Sequence, residues 1–76
     1  MKFETGKTYK MTSVGDSNCH WFLKVIRRTA KTVWLEGDTM GKGTISRRVD
    51  LWEGTESVRP FGNYSMSPIL RASRLA

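Results

Sequence analysis

Side chains able to ligate a metal or attack a carbonyl come together once, in Asp16-Ser17-Asn18-Cys19-His20. A structural zinc takes four ligands, and the chain has one Cys and one His in total. A thiolate nucleophile needs a base oriented by a third group. Adjacent side chains in an extended segment point to opposite faces, which separates Cys19 from His20. The segment reads as a turn rich in Asx-type hydrogen bonds, with Cys19 as a small buried residue. Gly41-Lys42-Gly43-Thr44 has the outline of a phosphate loop, but Gly37 and Gly41 do not supply the upstream glycine of GxxxxGK(S/T), and no helical pattern follows. It reads as a flexible loop. No catalytic residue, metal site or cofactor is expected, and the chain is read as a non-enzyme.

A different chemistry is carried by cations interleaved with aromatics. Lys24, Arg27, Arg28, Lys31 and Trp34 fall within eleven residues, and Arg47 and Arg48 follow on the next extended segment. Nucleic-acid binding uses this mixture because cations neutralise phosphates while aromatic faces stack on unpaired bases. The plainer reading is a solvated face on which long basic stems cover apolar neighbours. Trp52, Tyr64 and the apolar residues near them are expected in the core, where a small domain needs its large aromatics. The tail, with Arg71 and Arg74 among Ile69, Leu70 and Leu75, has the composition of a partner-binding amphipathic segment but is too short to stand alone as a helix.

The elements that must position these residues are short. Seventy-six residues make one small domain with a thin core. Thr8 to Val14 reads as a strand ending at the turn Gly15 to Asn18. His20 to Arg28 is the strongest strand signal, and Thr29-Ala30-Lys31 separates it from Thr32 to Glu36, which reads as a hairpin. A loop over Gly37 to Gly43 precedes a strand from Thr44 to Trp52, a turn from Glu53 to Glu56, and a short strand Ser57-Val58-Arg59 before Pro60. Two registers fit the hairpin. With a three-residue loop Val25 opposes Leu35, and Leu23, Val25, Val33 and Leu35 form the core face. With a two- or four-residue loop Arg27 opposes Trp34, and Phe22, Ile26, Val33 and Leu35 form it. A one-residue slip exchanges the faces, yet both registers put a Trp and at least one Arg opposite Leu35. From Tyr64 onward the chain fits either a closing strand to Leu70 with a frayed tail, or a short helix capped by Ser67 with Pro68 at its first position.

Thirteen Lys and Arg against seven Asp and Glu give a net charge of +6. The excess is spread along both halves of the chain, as on a folded surface and unlike a charged tail. Such a surface attracts phosphate backbones, anionic membranes and acidic proteins alike. The longest apolar run, Trp21-Phe22-Leu23, cannot span a membrane, the first residues have no signal-type segment, and a lone cysteine suits a reducing compartment. A cytoplasmic protein is expected.

Asp16-Ser17-Asn18-Cys19, Val25 to Val33 and Gly62 to Ile69 resemble a loose group of short proteins encoded by bacteriophages and mobile plasmids, which carry a CDxxC-like turn, an RTAKTV strand pair and a YSMxP segment. The resemblance covers most of residues 9–72. Gly15 stands where the first cysteine of the turn would be, so nothing supports a paired-cysteine role for Cys19. The resemblance implies a genetic setting and not a mechanism. In that setting small basic proteins bind nucleic acid, or bind and inhibit a host or defence protein.

The sequence therefore reads as an all-β domain, a small antiparallel barrel or bent sheet of SH3-like type, with a short C-terminal helix as one option. The leading function is non-catalytic nucleic-acid binding, DNA or RNA, of low sequence specificity, through phosphate contacts from Lys24, Arg27, Arg28, Lys31, Arg47 and Arg48 and stacking on Trp34. The alternative is a protein that occupies a surface of a host enzyme or defence complex. Replacing Arg28 and Arg48 by Glu is expected to abolish nucleic-acid binding and leave the fold intact.

Overall fold

A computed structural model describes residues 1–13, 15, 18–39, 41, 43–62 and 67–76. Among them the chain forms β1 (Thr8–Thr12), β2 (His20–Arg28), β3 (Thr32–Gly37), β4 (Ile45–Arg48), β5 (Asp50–Trp52), β6 (Thr55–Val58) and β7 (Leu70–Arg71). Every pairing is antiparallel. The first four strands make one sheet in the order β1-β2-β3-β4, and the last three a second in the order β5-β6-β7. The all-β expectation holds, but these strands form two sheets and not a closed barrel.

The break between the sheets lies at Val49. Its N–H still donates to the Lys31 carbonyl at 2.8 Å, the next position in the β3–β4 register, and from Asp50 on the chain pairs with β6 instead. The single strand expected over 44–52 is thereby divided, β4 staying with the first sheet and β5 starting the second. The tail makes the other link. The Lys10 N–H donates to the Arg74 carbonyl at 2.8 Å, the Ala76 N–H donates to the Thr8 carbonyl at 3.0 Å, and Tyr9 bridges Leu75 along the outer edge of β1.

No helix occurs among the described residues, and the reason is visible in burial. Leu70 and Ala72 are buried while Arg71 is exposed, a period of two that only an extended chain produces. β7 pairs Leu70 with Val58 and Arg71 with Ser57. Ser67 and Pro68 are both buried and lead into β7; they do not start a helix. Val14, Asp16, Ser17, Met40, Lys42 and residues 63–66, the last holding Tyr64 and the first part of the YSMSP segment, lie outside the described residues.

The core sits between the sheets: Phe3, Tyr9, Met11, Leu23, Val25, Val33, Leu35, Ile45, Val58, Leu70 and Ala72. Phe3 and Tyr9 meet edge to face at 5.0 Å. The buried Tyr9 hydroxyl accepts from the Glu4 N–H at 2.8 Å, so the phenol is buried without an unmet polar group. Trp52 corrects the expectation that the large aromatics are internal. It is 71% exposed, as is Leu51, because β5 is three residues long, lies at a sheet edge, and ends at once in a two-residue turn. Glu53 and Gly54 of that turn have φ of 49° and 79°, the left-handed pair that closes a tight hairpin. β6 consequently begins at Thr55, inside the stretch expected to be the turn.

Both hairpin registers occur, one on each side of a β-bulge. Val25 opposes Leu35, whereas beyond Ile26 Arg27 opposes Trp34 and Arg28 opposes Val33. A bulge places two residues against one and shifts the alternation by one position. Leu23 and Val25 can therefore point into the core while Arg27, only two residues beyond Val25, points out.

At its far end β3 closes against β2 through Gly37. Its φ is 117°, and a Cβ there would lie 2.6 Å from the Phe22 carbonyl oxygen. That carbonyl accepts the Asp38 N–H at 3.1 Å, while the Asp38 carboxylate accepts the Phe22 N–H at 2.9 Å. Gly37→Ala should therefore cost about 2 kcal/mol or more in urea denaturation, from left-handed strain plus the clash. Gly15→Ala, where the added methyl meets nothing, should stay within about 0.5 kcal/mol. Equal stability of the two variants would contradict this account of the strand end.

Candidate nucleic-acid interface

Two adjacent arginine pairs, Arg27-Arg28 on β2 and Arg47-Arg48 on β4, divide between the faces of the first sheet. Successive strand residues alternate sides, so one of each pair must turn toward the second sheet. The inward members are Arg28 and Arg47. Arg28 donates from Nη1 to Glu56 Oε1 at 2.7 Å and from Nη2 to Oε2 at 3.0 Å, a two-pronged ion pair. Nη1 also donates to the Phe3 carbonyl at 2.7 Å, and the Phe3 N–H donates to Glu56 Oε1 at 2.7 Å. The two side chains are 18% and 7% exposed. Arg47 donates from Nε to the Pro60 carbonyl at 2.9 Å and from Nη1 to the Ser46 carbonyl at 2.7 Å. Both inward arginines thus tie the first sheet to the strand or loop of the second.

This placement corrects the expectation that replacing Arg28 leaves the fold intact. Its charge is committed to Glu56, and Glu at position 28 would set two carboxylates against each other in a nearly buried site. The hydrogen bonds from Arg28 hold the Glu56 carboxyl below its ordinary value, helped by the Phe3 N–H and the charges of Arg28 and Lys2, against the opposing effect of burial. The Arg28 guanidinium is correspondingly raised.

The outward members meet the rest of the expected surface. Arg27 lies over the Trp34 ring, its guanidinium carbon 4.7 Å from the ring centroid. It is exposed, and Trp34 is half-buried. Arg48 is exposed opposite Thr32, and Ser46 opposes Trp34. Lys24 is exposed between Thr8 of β1 and Glu36 of β3. Phe22, 46% exposed, opposes Lys10. Lys31 is exposed in the tight connection that the Thr29 N–H closes onto the Thr32 carbonyl at 2.9 Å. Lys24, Arg27, Trp34 and Arg48 are therefore brought to one side of the sheet, Lys10 and Phe22 join them from β1 and β2, and Lys31 stands exposed in the connection at its end. Among the described residues, Glu36 stands directly opposite Lys24, and Asp38 follows just past the end of β3.

Reading the sequence missed a second surface, on the outer face of the β5-β6-β7 sheet. Asp50, Trp52, Ser57, Arg59, Ile69 and Arg71 line a cleft of about 270 Å³ there. The signal for it was a tryptophan directly before a tight turn, where a strand has no length left to cover it. Of the residues considered for metal or nucleophile chemistry, Cys19 is a half-buried free thiol and His20 Nδ1 lies 3.0 Å from Thr12 Oγ1. Among the described residues no three His, Cys, Asp or Glu side chains are grouped as a metal site would require. No helix among them is long and apolar enough to cross a membrane.

No family model matches the chain. Neither a curated protein nor a solved structure is significantly similar to it. What the surface can do is set by its own chemistry: exposed cations at strand spacing, with aromatic rings between them.

The division of the arginines has direct consequences for stability. Arg28→Ala should lower the unfolding free energy by about 3 kcal/mol, as when one partner of a buried pair is removed, whereas Arg27→Ala should cost under about 1 kcal/mol, the value of an exposed cation–π contact. Glu56 also makes stability depend on pH. Its folded-state value is lowered, so the unfolded chain takes up the proton first. The contribution is intact above the ordinary glutamate value of about 4.3 and is lost as pH falls from there through the lower folded value. Urea titrations across that range should show the decline in the wild type and a shallower one in Glu56→Gln. Identical pH profiles would contradict the pair's role.

Proposed function

We propose that the protein binds nucleic acid, without catalysis and with low sequence specificity, through the outer face of the β1-β2-β3-β4 sheet. The observation that carries the proposal is the face on which Arg27 stacks on Trp34 while Lys24 and Arg48 stand exposed beside it, with Lys31 exposed in the adjoining connection. Cations at this spacing neutralise successive phosphates, and exposed rings such as Phe22 accept bases that are not paired. Single strands are favoured over duplex because the exposed rings of this face can stack only on bases that are not already paired. Arg28 and Arg47, which serve the fold, are not part of the contact set. The likeness of the RTAKTV and YSMSP segments to bacteriophage and plasmid proteins supports an accessory role in a mobile element. The two antiparallel sheets, joined at Val49 and along Tyr9–Leu75, support reading the fold as an open variant of the SH3-like type.

One observation favours a second reading, a protein that modulates a host enzyme or defence complex. Met1 and Leu75 are 61% and 51% exposed beside an open hollow also lined by Phe3 and Ala72. Apolar anchors of this kind are what protein partners bury.

Fluorescence anisotropy of labelled single- and double-stranded DNA and RNA at two salt concentrations tests the proposal. If Lys24, Arg27, Lys31 and Arg48 each neutralise one phosphate, log K against log salt should have a slope near −3, from about −0.7 per phosphate on single strands. Arg27→Glu with Arg48→Glu should weaken binding at least about tenfold and flatten that slope by about half, with the urea midpoint close to wild type. Unchanged binding by that variant would remove the face from consideration, and capture of a protein partner would then become the next experiment.

A further inference from the structure

The cleft beside Trp52 and the sheet face beside Trp34 lie on the outer faces of the two sheets and are joined around the β1 edge. The cleft of about 270 Å³ is continued by a smaller depression of about 110 Å³ lined by Lys10, Thr12, Ile69, Arg71 and Arg74, and Ile69 and Arg71 belong to both. Lys10 in turn opposes Phe22 on the outer face of the first sheet. Cations and rings therefore follow one another from Arg27 and Trp34 through Lys24, Phe22, Lys10 and Arg74 to Arg71 and Trp52. The tail makes this continuity possible, because its bonds to β1 at Lys10 and Thr8 bring Arg71 and Arg74 beside that strand.

Resting on the nucleic-acid reading of the sheet face, we infer that the cleft takes a further nucleotide of the same single strand, its base stacked on Trp52 and its phosphates met by Arg71, Arg74 and Lys10. The chemistry selects this occupant. The volume lies below the range of pockets that enclose a drug-sized ligand, and suits one flat ring system. Trp52 is 71% exposed, so a ring face is open to stacking. The surroundings are predominantly basic. The one carboxylate lining the cleft, Asp50, opposes Ser57, which opposes Arg71, so the backbones of Asp50 and Arg71 are two strand spacings, about 10 Å, apart. A single strand of nucleic acid supplies an anion and a ring at every repeat and so matches this alternation along the cleft and onto the neighbouring face.

Anisotropy titrations of a labelled oligo-dT of about 12 nucleotides, within the range of single-strand site sizes, test this with wild type, Trp52→Ala, Arg71→Glu and the Arg27→Glu with Arg48→Glu variant. Trp52→Ala should weaken binding about tenfold, the usual scale for loss of one base-stacking aromatic, with an unchanged urea midpoint because the ring is exposed. Arg71→Glu should weaken it and flatten the salt slope. If Trp52→Ala and Arg71→Glu bind as wild type while the sheet-face variant is weakened, the inference is overturned and the reading of the sheet face stands; Trp52 then serves another partner, such as a protein. If the sheet-face variant binds as wild type and Trp52→Ala is weakened, the cleft stands and the sheet face falls. Absence of binding by the wild type at low salt would overturn both.

Discussion

The rest of the molecule depends on where one carboxylate sits. Glu56 accepts hydrogen bonds from both terminal nitrogens of Arg28 and from the Phe3 N–H, so three segments distant in sequence meet at one side chain. Charges withdrawn from water are costly unless their partners are supplied with good geometry, and here every polar group of the cluster is met. A thin domain has few other ways to fix the relation of two sheets. Once Arg28 must face Glu56, strand alternation sends Arg27 to the outside, and the bulge at Ile26 reconciles that with Val25 in the core. On β4 the same logic holds Arg47 at the Pro60 carbonyl and turns Arg48 outward. The basic outer face is thus a consequence of how the inner one is tied together.

Much of the fold was legible in local pattern. β2 begins and ends where its run of bulky residues does, and β1 and β3 fall within a residue or two of expectation, because burial alternates with a period of two along each. The features that were not legible are those set by distant partners. The two candidate hairpin registers were each half right, since a bulge obeys the core on one side and the Arg28 ion pair on the other. Val49 is an ordinary strand residue, and nothing local shows that the chain changes partner from β3 to β6 directly after it. The tail reads equally as helix or strand until Val58 and Ser57 are there to pair with it.

The site was legible in composition more than in membership. Alternation alone says that Arg27 and Arg28 cannot share a face, and likewise Arg47 and Arg48. Which of each pair turns inward depends on Glu56 and Pro60, which lie elsewhere in the chain. Trp52 was assigned to the core by residue type, yet its position before Glu53-Gly54 leaves it at the end of a three-residue edge strand, with 71% of its surface exposed. Arg71 and Arg74 read as a loose tail because their neighbours in space, Lys10 and Trp52, are far away in sequence.

The central claim is that the arginines have separate duties, the inner ones holding the sheets and the outer ones meeting the ligand. Nitrogen-resolved NMR spectra, recorded as a single-stranded oligonucleotide is added at low salt, test it most directly. The account predicts shifts at the Trp34 indole N–H, the Arg27 side chain and the amides of Lys24 and Arg48, with the Arg28 and Arg47 Nε signals held in place. Shifts concentrated at Arg28 and Arg47, with the outer residues unmoved, would contradict it.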